Sequence, residues 1–459
     1  MPKISGALAY YPARISFAAY SILVLIGAAA LWHPISSANP ANPITWVEAM
    51  FTSVSACCVT GLGVRSTGHD FSFIGQIFIL ILIQIGGIGI LTITNYLLLQ
   101  VGGTARMRER QVLSQTLGAL GNDNLGWVLL NVFRFSLIVE GIGVLLLTLR
   151  FSFEMPFLAA VWHALFHSVS AFCNAGFSLN DSSLIDYQGD LIVNLTICGL
   201  IVAGGIGFPV ILDLMRHHRG TTWIERARNL QLHTKMILVG TVVLILGGAI
   251  SIFFIEYNHA LRDQPWSSKI LVPIFQSITC RTAGFNTVDQ ASLTSASLYL
   301  SICLMLIGGG PCSTAGGVKV TSIYMIFLKA WSRLRGNLTV TIFRRTIPQS
   351  SLDKASTVVL FYFFIAALAL MLVLLLEQGF GSIARDEQMF LPALFEVISA
   401  LGTVGLSVNL TSSLSDPTLF VLMMLMFLGR LGPVSVFAAL SAPGRDKPLQ
   451  YVSEEPLVG

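Results

Sequence analysis

The sequence predicts an all-α integral membrane protein: eight transmembrane helices in four helix–re-entrant P-loop–helix repeats, set around a central pore with pseudo-fourfold symmetry. Three observations predict it. The chain is 54% hydrophobic and only 11% charged, with mean hydropathy +0.75, where a soluble domain carries roughly 25% charged residues. One twelve-residue stretch, FTSVSACCVTGL at 51–62, returns as FHSVSAFCNAGF at 166–177, FQSITCRTAGF at 275–285 (one residue shorter) and FEVISALGTVGL at 395–406. Eight apolar stretches flank these four copies, each near the ~20 residues that cross a bilayer.

Each copy opens on Phe, carries a hydroxyl-bearing residue midway, and closes on Gly followed by Leu or Phe. The closing glycines, Gly61, Gly176, Gly284 and Gly405, recur at near-even spacing, which means four structural repeats. The first repeat, 1–105, has its apolar stretches at Ile15–Trp32 and Phe73–Leu99. The second, 106–220, has them at Trp127–Leu149 and Leu191–Leu214. The third, 221–335, has Met236–Ile255 and Leu298–Leu328, and the fourth, 336–459, has Ser356–Leu376 and Thr418–Leu440 before a short C-terminal tail. Ile15–Trp32 is longer than the ~7–15 residues of a signal-peptide core, so it reads as a first spanning helix. The segment before each closing glycine is too short to span, and fits a half-helix that enters the membrane and turns back. Non-helical backbone at that depth is allowed only inside protein or along water.

The basic residues sit in short loops. Arg106, Arg108 and Arg110, then Arg216, Arg219, Arg226, Arg228 and Lys235, then Lys329, Arg333, Arg335, Arg344, Arg345 and Lys354 lie between repeats. The connections that hold the Gly stretches carry fewer, chiefly Arg65, Arg150, Arg262, Lys269, Arg281 and Arg385. The positive-inside rule then places both termini in the cytoplasm, with the four re-entrant stretches dipping in from outside. Charge spread in this way, despite a net +4, argues against a nucleic-acid partner and for membrane lipid.

Glycine clusters recur in the helices after the loops, at Gly86–Gly89, Gly204–Gly207, Gly308–Gly310 and Gly429–Gly432. In the first two repeats they read equally as close helix packing through small residues. In the third, GGGPCSTAGGVK at 308–319 is too rich in Gly and Pro to remain helical, so the helix must break. In the fourth, Arg430 is a charge in mid-span, where burial is costly unless it meets carbonyls or water.

Four loops about one axis can aim backbone carbonyls at a central cation and replace the water it sheds. With the residues that carry it now in view, the chain resembles the Trk/Ktr/HKT superfamily of potassium transporters over essentially its whole length, closest to the KtrB-type membrane subunits. TrkH-type members have extra N-terminal helices, for which the residues before Ile15 leave no room. The resemblance implies a potassium-binding selectivity filter at Val59, Thr60, Gly61 and Leu62; Asn174, Ala175, Gly176 and Phe177; Thr282, Ala283, Gly284 and Phe285; and Thr403, Val404, Gly405 and Leu406. It implies an intramembrane gate made of Gly308, Gly309, Gly310, Pro311, Cys312, Ser313, Thr314, Ala315, Gly316, Gly317 and Lys319, with Arg430 pointing into the same constriction. In the family a serine at the first filter position goes with sodium preference, so Gly61 implies potassium. Sodium, as a coupled ion or the main conducted one, and a nonselective cation path both stay open. The family is regulated by nucleotides, and this chain has no GxGxxG stretch, so the resemblance implies that nucleotide sits only on a separate cytoplasmic KtrA-type ring. The basic loops at 216–235 and 329–345 are its expected docking surfaces, and a homodimer in the cytoplasmic membrane is implied.

Other features read more plainly. Glu48 and Asp289, beside the Gly stretches, and Glu396, at the start of the fourth, are candidates for drawing cations to the mouth, against ordinary loop carboxylates. Glu140 and Arg134 are candidates to pair. The seven cysteines show no metal-ligand spacing and read as small buried side chains. An intramembrane enzyme, the remote alternative, finds neither HExxH nor GxSxG.

Overall fold

A computed structural model describes residues 12–88, 125–216, 225, 228–380 and 389–432. Arg106, Arg108, Arg110, Arg219, Arg226, Arg385, the C-terminal tail and the repeat boundaries after 105 and 220 lie outside them. One order of elements recurs four times. It begins with α1 (Pro12–Trp32), the short α2 (Trp46–Cys57) and α3 (Phe73–Ile88). Next come α4 (Leu125–Phe151), short α5 (Phe157–Phe172), and α6 (Leu191–Gly205) with α7 (Phe208–Arg216). Then follow α8 (Leu232–Glu256), short α9 (Trp266–Thr279), and α10 (Ser295–Leu306) with α11 (Val320–Leu334). A hairpin of β1 (Thr341–Ile342) and β2 (Arg345–Thr346) leads to α12 (Gln349–Phe380), short α13 (Phe390–Gly402) and α14 (Asp416–Leu431).

Among the described residues three helices are long and apolar enough to cross a membrane, or four if α6 and α7 count as one bent span. Two expected spans are therefore not single rods. Leu191–Leu214 turns by 94° between α6 and α7. Gly207 adopts φ +98° there, and a Cβ on it would lie 2.5 Å from the Pro311 carbonyl oxygen. Leu298–Leu328 stops at Leu306 and resumes at Val320. Between these ends Ile307 pairs in parallel with Val318, so the glycine-rich segment leaves the helix as extended chain.

Local chemistry sets where the short helices begin. Thr45 and Glu48 form a reciprocal capping box at α2, with Glu48 Oε2 accepting from the Thr45 amide at 2.8 Å. Proline residues 156 and 265 precede α5 and α9. The short helices then dock onto the long ones through small polar residues. Ser53 donates to the Val24 carbonyl (2.8 Å), Ser168 to Glu140 (2.7 Å) and Ser277 to Ile245 (2.9 Å). Opposite those hydroxyls stand Gly27, Gly143 and Gly248, each with no room for a side chain. Val397 takes the equivalent place in the fourth unit.

The interior is thus built of Ser, Ala and Gly, whereas Phe254, Leu360 and Met424 are about two-thirds exposed or more. Small residues inside and large apolar ones outside are the pattern of helices packed in lipid, where close backbone approach replaces the hydrophobic drive. On α4, Gly143 meets Ser168 and Leu200 while Gly141, two residues earlier, meets nothing within 4 Å. Gly143→Leu should therefore lower the thermal unfolding midpoint in detergent, at a cost of ~1–3 kcal/mol of overpacking, while Gly141→Leu leaves it unchanged.

Candidate functional site

The four Gly stretches converge. A Cβ built on Gly61 would lie 3.0 Å from the Gly176 Cα, one on Gly176 2.8 Å from the Gly284 Cα, one on Gly284 3.3 Å from the Gly405 Cα, and one on Gly405 3.0 Å from the Gly61 Cα. The ring closes in chain order. The carbonyl oxygen just before each glycine abuts the glycine of the preceding segment: Ala175 against Gly61, Ala283 against Gly176, Val404 against Gly284 and Thr60 against Gly405. Backbone oxygens therefore line the contacts between segments.

The four segments share one backbone pattern. Val59, Asn174, Thr282 and Thr403 have φ of 57°, 59°, 68° and 50°. The glycines two residues on have φ of 95°, 70°, 82° and 93°. Left-handed residues that alternate with ordinary ones turn successive peptide groups toward one side. Glycine accepts this freely. Val59, Thr282 and Thr403 are β-branched, for which positive φ is a true outlier costing roughly 1–3 kcal/mol. No sequence signal marks these three positions, because their side chains argue against the conformation they adopt.

The midway hydroxyl has a defined task. Ser55 Oγ accepts from the Gly61 amide at 3.0 Å and Ser399 Oγ from the Gly405 amide at 3.1 Å. Ser170 Oγ donates to the Phe177 carbonyl at 2.8 Å and Thr279 Oγ1 to the Phe285 carbonyl at 2.5 Å. Each short helix so holds its own extended segment. The buried hydroxyls of Thr60, Thr282 and Thr403 have no hydrogen-bond partner among the described residues, leaving them free to meet water or an ion.

The 308–319 segment lies where the extended segments begin. Gly310 N donates to the Gly205 carbonyl (2.8 Å), Thr314 N to Gly204 (3.2 Å) and Thr314 Oγ1 to Phe172 (3.2 Å). Gly316 is pressed against Thr403. Lys319 Nζ donates back into the loop, to the Ala315 carbonyl at 2.7 Å and more weakly to Gly316. Arg430 donates to the carbonyls of Thr314, Gly86 and Gly87. One guanidinium thus ties α14 to the loop and to α3, and its charge is met by carbonyl oxygens. Gly86 and Gly204 do serve close packing, against the Cys57 and Phe172 carbonyls.

Several other expectations change. Glu396 is buried inside its own unit, bonded to Ser407, Val408 and Thr411. Glu48 is taken up by its capping box and by Arg65 at 2.8 Å, and Asp289 caps a short turn and accepts from Asn409 at 3.2 Å. Glu140 meets Gln84 on α3, at 3.1 and 3.2 Å. Arg281, counted above among the loop charges, is buried at the end of α9 and reaches Thr241 at 3.3 Å. Its place two residues after the Thr279 hydroxyl was the available signal. Cys57, Cys58, Cys173, Cys198 and Cys280 are buried; Cys303 and Cys312 are partly so.

The profile of the TrkH family, described as a cation transport protein, matches residues 14–446. This chain belongs to the TrkH family of cation transport proteins. It is 35% identical over 432 residues to the Ktr system potassium uptake protein B of Vibrio alginolyticus, covering 94% of this chain and 91% of that protein. It is 34% identical to the protein of the same name from Bacillus subtilis, covering 100% and 99%. It is 31% identical to the potassium/sodium uptake protein NtpJ of Enterococcus hirae, covering 98% and 97%. Its fold is similar to that of the potassium transporter TrkH from Vibrio parahaemolyticus, with TM-score 0.65 at 21% identity, covering 93% of this chain and 84% of that one. As a TrkH-family member the chain is a multi-pass membrane transporter, not an enzyme.

Because Arg430 ties the 308–319 loop to two helices, Arg430→Ala should raise basal cation flux into liposomes. Deletion of Cys312–Gly316 should raise it further. Wild-type flux in both variants retires the loop as a gate.

Proposed function

We propose that this protein takes up potassium ions through a passage along the axis of the four Gly stretches. The observation that carries the reading is the closed ring of Gly61, Gly176, Gly284 and Gly405, with a backbone carbonyl at each contact between neighbours. Peptide oxygens are fixed dipoles that stand in for an ion's hydration shell without bringing a full charge that would trap it. The names of the two Ktr system relatives support potassium as the ion. In this reading the filter is Val59–Leu62, Asn174–Phe177, Thr282–Phe285 and Thr403–Leu406, each reached by a re-entrant short helix. The segment Gly308–Lys319 and Arg430 close the passage on the side where those residues begin. Eight spans, repeat boundaries after 105, 220 and 335, and cytoplasmic termini complete the topology.

The word "system" in those relatives' names supports a separate regulatory subunit. We propose that it is a cytoplasmic nucleotide-binding ring of KtrA type, which docks on the basic loops, and that the membrane subunit works as a homodimer. The basic residues Lys329, Arg333 and Arg335 stand on and just after α11, beside the 341–346 hairpin. A second reading, sodium as the conducted or coupled ion, is favoured by the name of the Enterococcus hirae relative.

Rubidium uptake by cells that lack their own potassium systems, with and without added sodium, tests both. Uptake that sodium neither displaces nor stimulates supports the potassium reading; rubidium uptake that requires added sodium supports coupling, and rubidium uptake abolished by equimolar sodium supports sodium as the conducted ion; no uptake of rubidium or of labelled sodium defeats both. Gly61 holds φ +95° with its missing Cβ against the Ala175 carbonyl. Gly61→Ser should displace that oxygen and lower the potassium-over-sodium preference by about tenfold, equivalent to ~1.4 kcal/mol. Competition uptake with unchanged preference defeats the filter assignment.

A further inference from the structure

In the four short helices the residue after the opening Phe is Thr52, His167, Gln276 or Glu396. All four are buried. Three of them hold the chain just beyond the closing residues of the Gly stretch. His167 pairs through Nε2 with Ser178 Oγ at 3.0 Å, next to Phe177. Its Nδ1 lies 2.8 Å from the His163 carbonyl, so the proton sits on Nδ1 and Nε2 accepts. Gln276 and Gln290 bond each other amide to amide, at 2.6 and 3.1 Å, and Gln290 donates to the Val288 carbonyl. Glu396 Oε1 accepts from Ser407 Oγ at 2.5 Å and Val408 N at 3.1 Å, and its Oε2 from Thr411 Oγ1 at 2.7 Å. In the first unit the Thr52 hydroxyl donates to the Glu48 carbonyl of its own helix. There Glu48, one turn earlier, takes over by accepting from Arg65 Nε, three residues past Leu62.

We propose that these four unlike contacts brace the outer end of the ion passage, and that Glu396 is the positioning residue among them that most strongly sets ion preference. Of the four it holds its exit chain by the most donors, using both of its side-chain oxygens. Ser407 follows Leu406 directly, so the contact fixes the backbone at the mouth of the fourth segment. Without it the half-buried Val408 amide loses its acceptor, and the segment must move to find another. The carbonyl spacing that a potassium ion needs is thereby relaxed. This inference rests on the Gly stretches being a filter.

The test is competition of sodium against rubidium uptake in cells without their own potassium systems. The preference is a ratio, so it does not depend on how much protein reaches the membrane. Glu396→Ala should lose about tenfold of the rubidium-over-sodium preference, equivalent to ~1.4 kcal/mol. Glu396→Gln should retain the wild-type ratio, because its amide oxygen accepts from Ser407 and Val408 while its amide nitrogen donates to a reversed Thr411 hydroxyl. Should Glu396→Ala yield no protein in the membrane, Ser407→Ala combined with Thr411→Val removes two of the donors and must lower the ratio in its place. A wild-type ratio in the alanine variant, or in the double variant, overturns the brace. A Gln variant as impaired as Ala overturns it too, in favour of the carboxylate's charge. Gly61→Ser separates the levels. An altered ratio there beside a normal one in the Glu396 variants removes the brace and keeps the filter, whereas normal ratios in all remove the filter itself.

Discussion

A side chain at Gly61, Gly176, Gly284 or Gly405 has nowhere to go. The carbonyl oxygen and the glycine Cα of the next segment both stand within 3.3 Å of where its Cβ would lie. This contact between bare backbones is the constraint on which the rest of the structure depends. It brings four chain segments together more closely than any residue with a Cβ permits. It also explains why each segment begins from a short helix instead of a loop. Only a rigid element, docked by Ser53, Ser168 or Ser277 onto its long helix, can hold an extended strand to within a few tenths of an ångström.

The cost of the arrangement is visible beside the glycines. Val59, Thr282 and Thr403 keep a left-handed conformation that β-branched residues resist. Such strain persists where the surroundings over-determine it. Here the surroundings are the hydroxyls of Ser55, Ser170, Thr279 and Ser399, which fasten each segment one helical turn and a half behind its glycine. The unpartnered hydroxyls of Thr60, Thr282 and Thr403 belong to the same region, so the strained backbone and the unsatisfied polar atoms coincide.

The glycine-rich segment after α10 uses its freedom differently. It touches three of the other helices' ends through backbone bonds to Gly204 and Gly205, through the Thr314 hydroxyl to the Phe172 carbonyl, and through Arg430. Arg430 resolves a conflict that a mid-span charge creates. Burying a guanidinium in an apolar bundle is expensive, but broken helices leave carbonyls without amide partners. The break in the third unit supplies the Thr314 carbonyl, α3 supplies those of Gly86 and Gly87, and the charge in turn holds the pieces in place.

Composition and the fourfold repeat were enough to read the all-helical class of fold and the four glycines that meet one another, because membrane solvation and left-handed backbone each demand particular residue types. The break at 308–319 was legible for the same reason. The bend between α6 and α7 was not: Gly204–Gly207 has the composition of a packing motif, and only contact with Pro311 makes it a hinge. Glu396, Glu48 and Arg281 were misplaced because a charged residue beside a loop reads as solvated until its partners are known. Ser407, Val408 and Thr411 lie eleven to fifteen residues from Glu396, and Thr241 lies forty from Arg281. Residue type alone determined which backbone conformations this chain can adopt; which carbonyl faces which glycine, and which buried charge meets which donor, was decided by tertiary packing, since those partners come from different helices that nothing local in the sequence brings together.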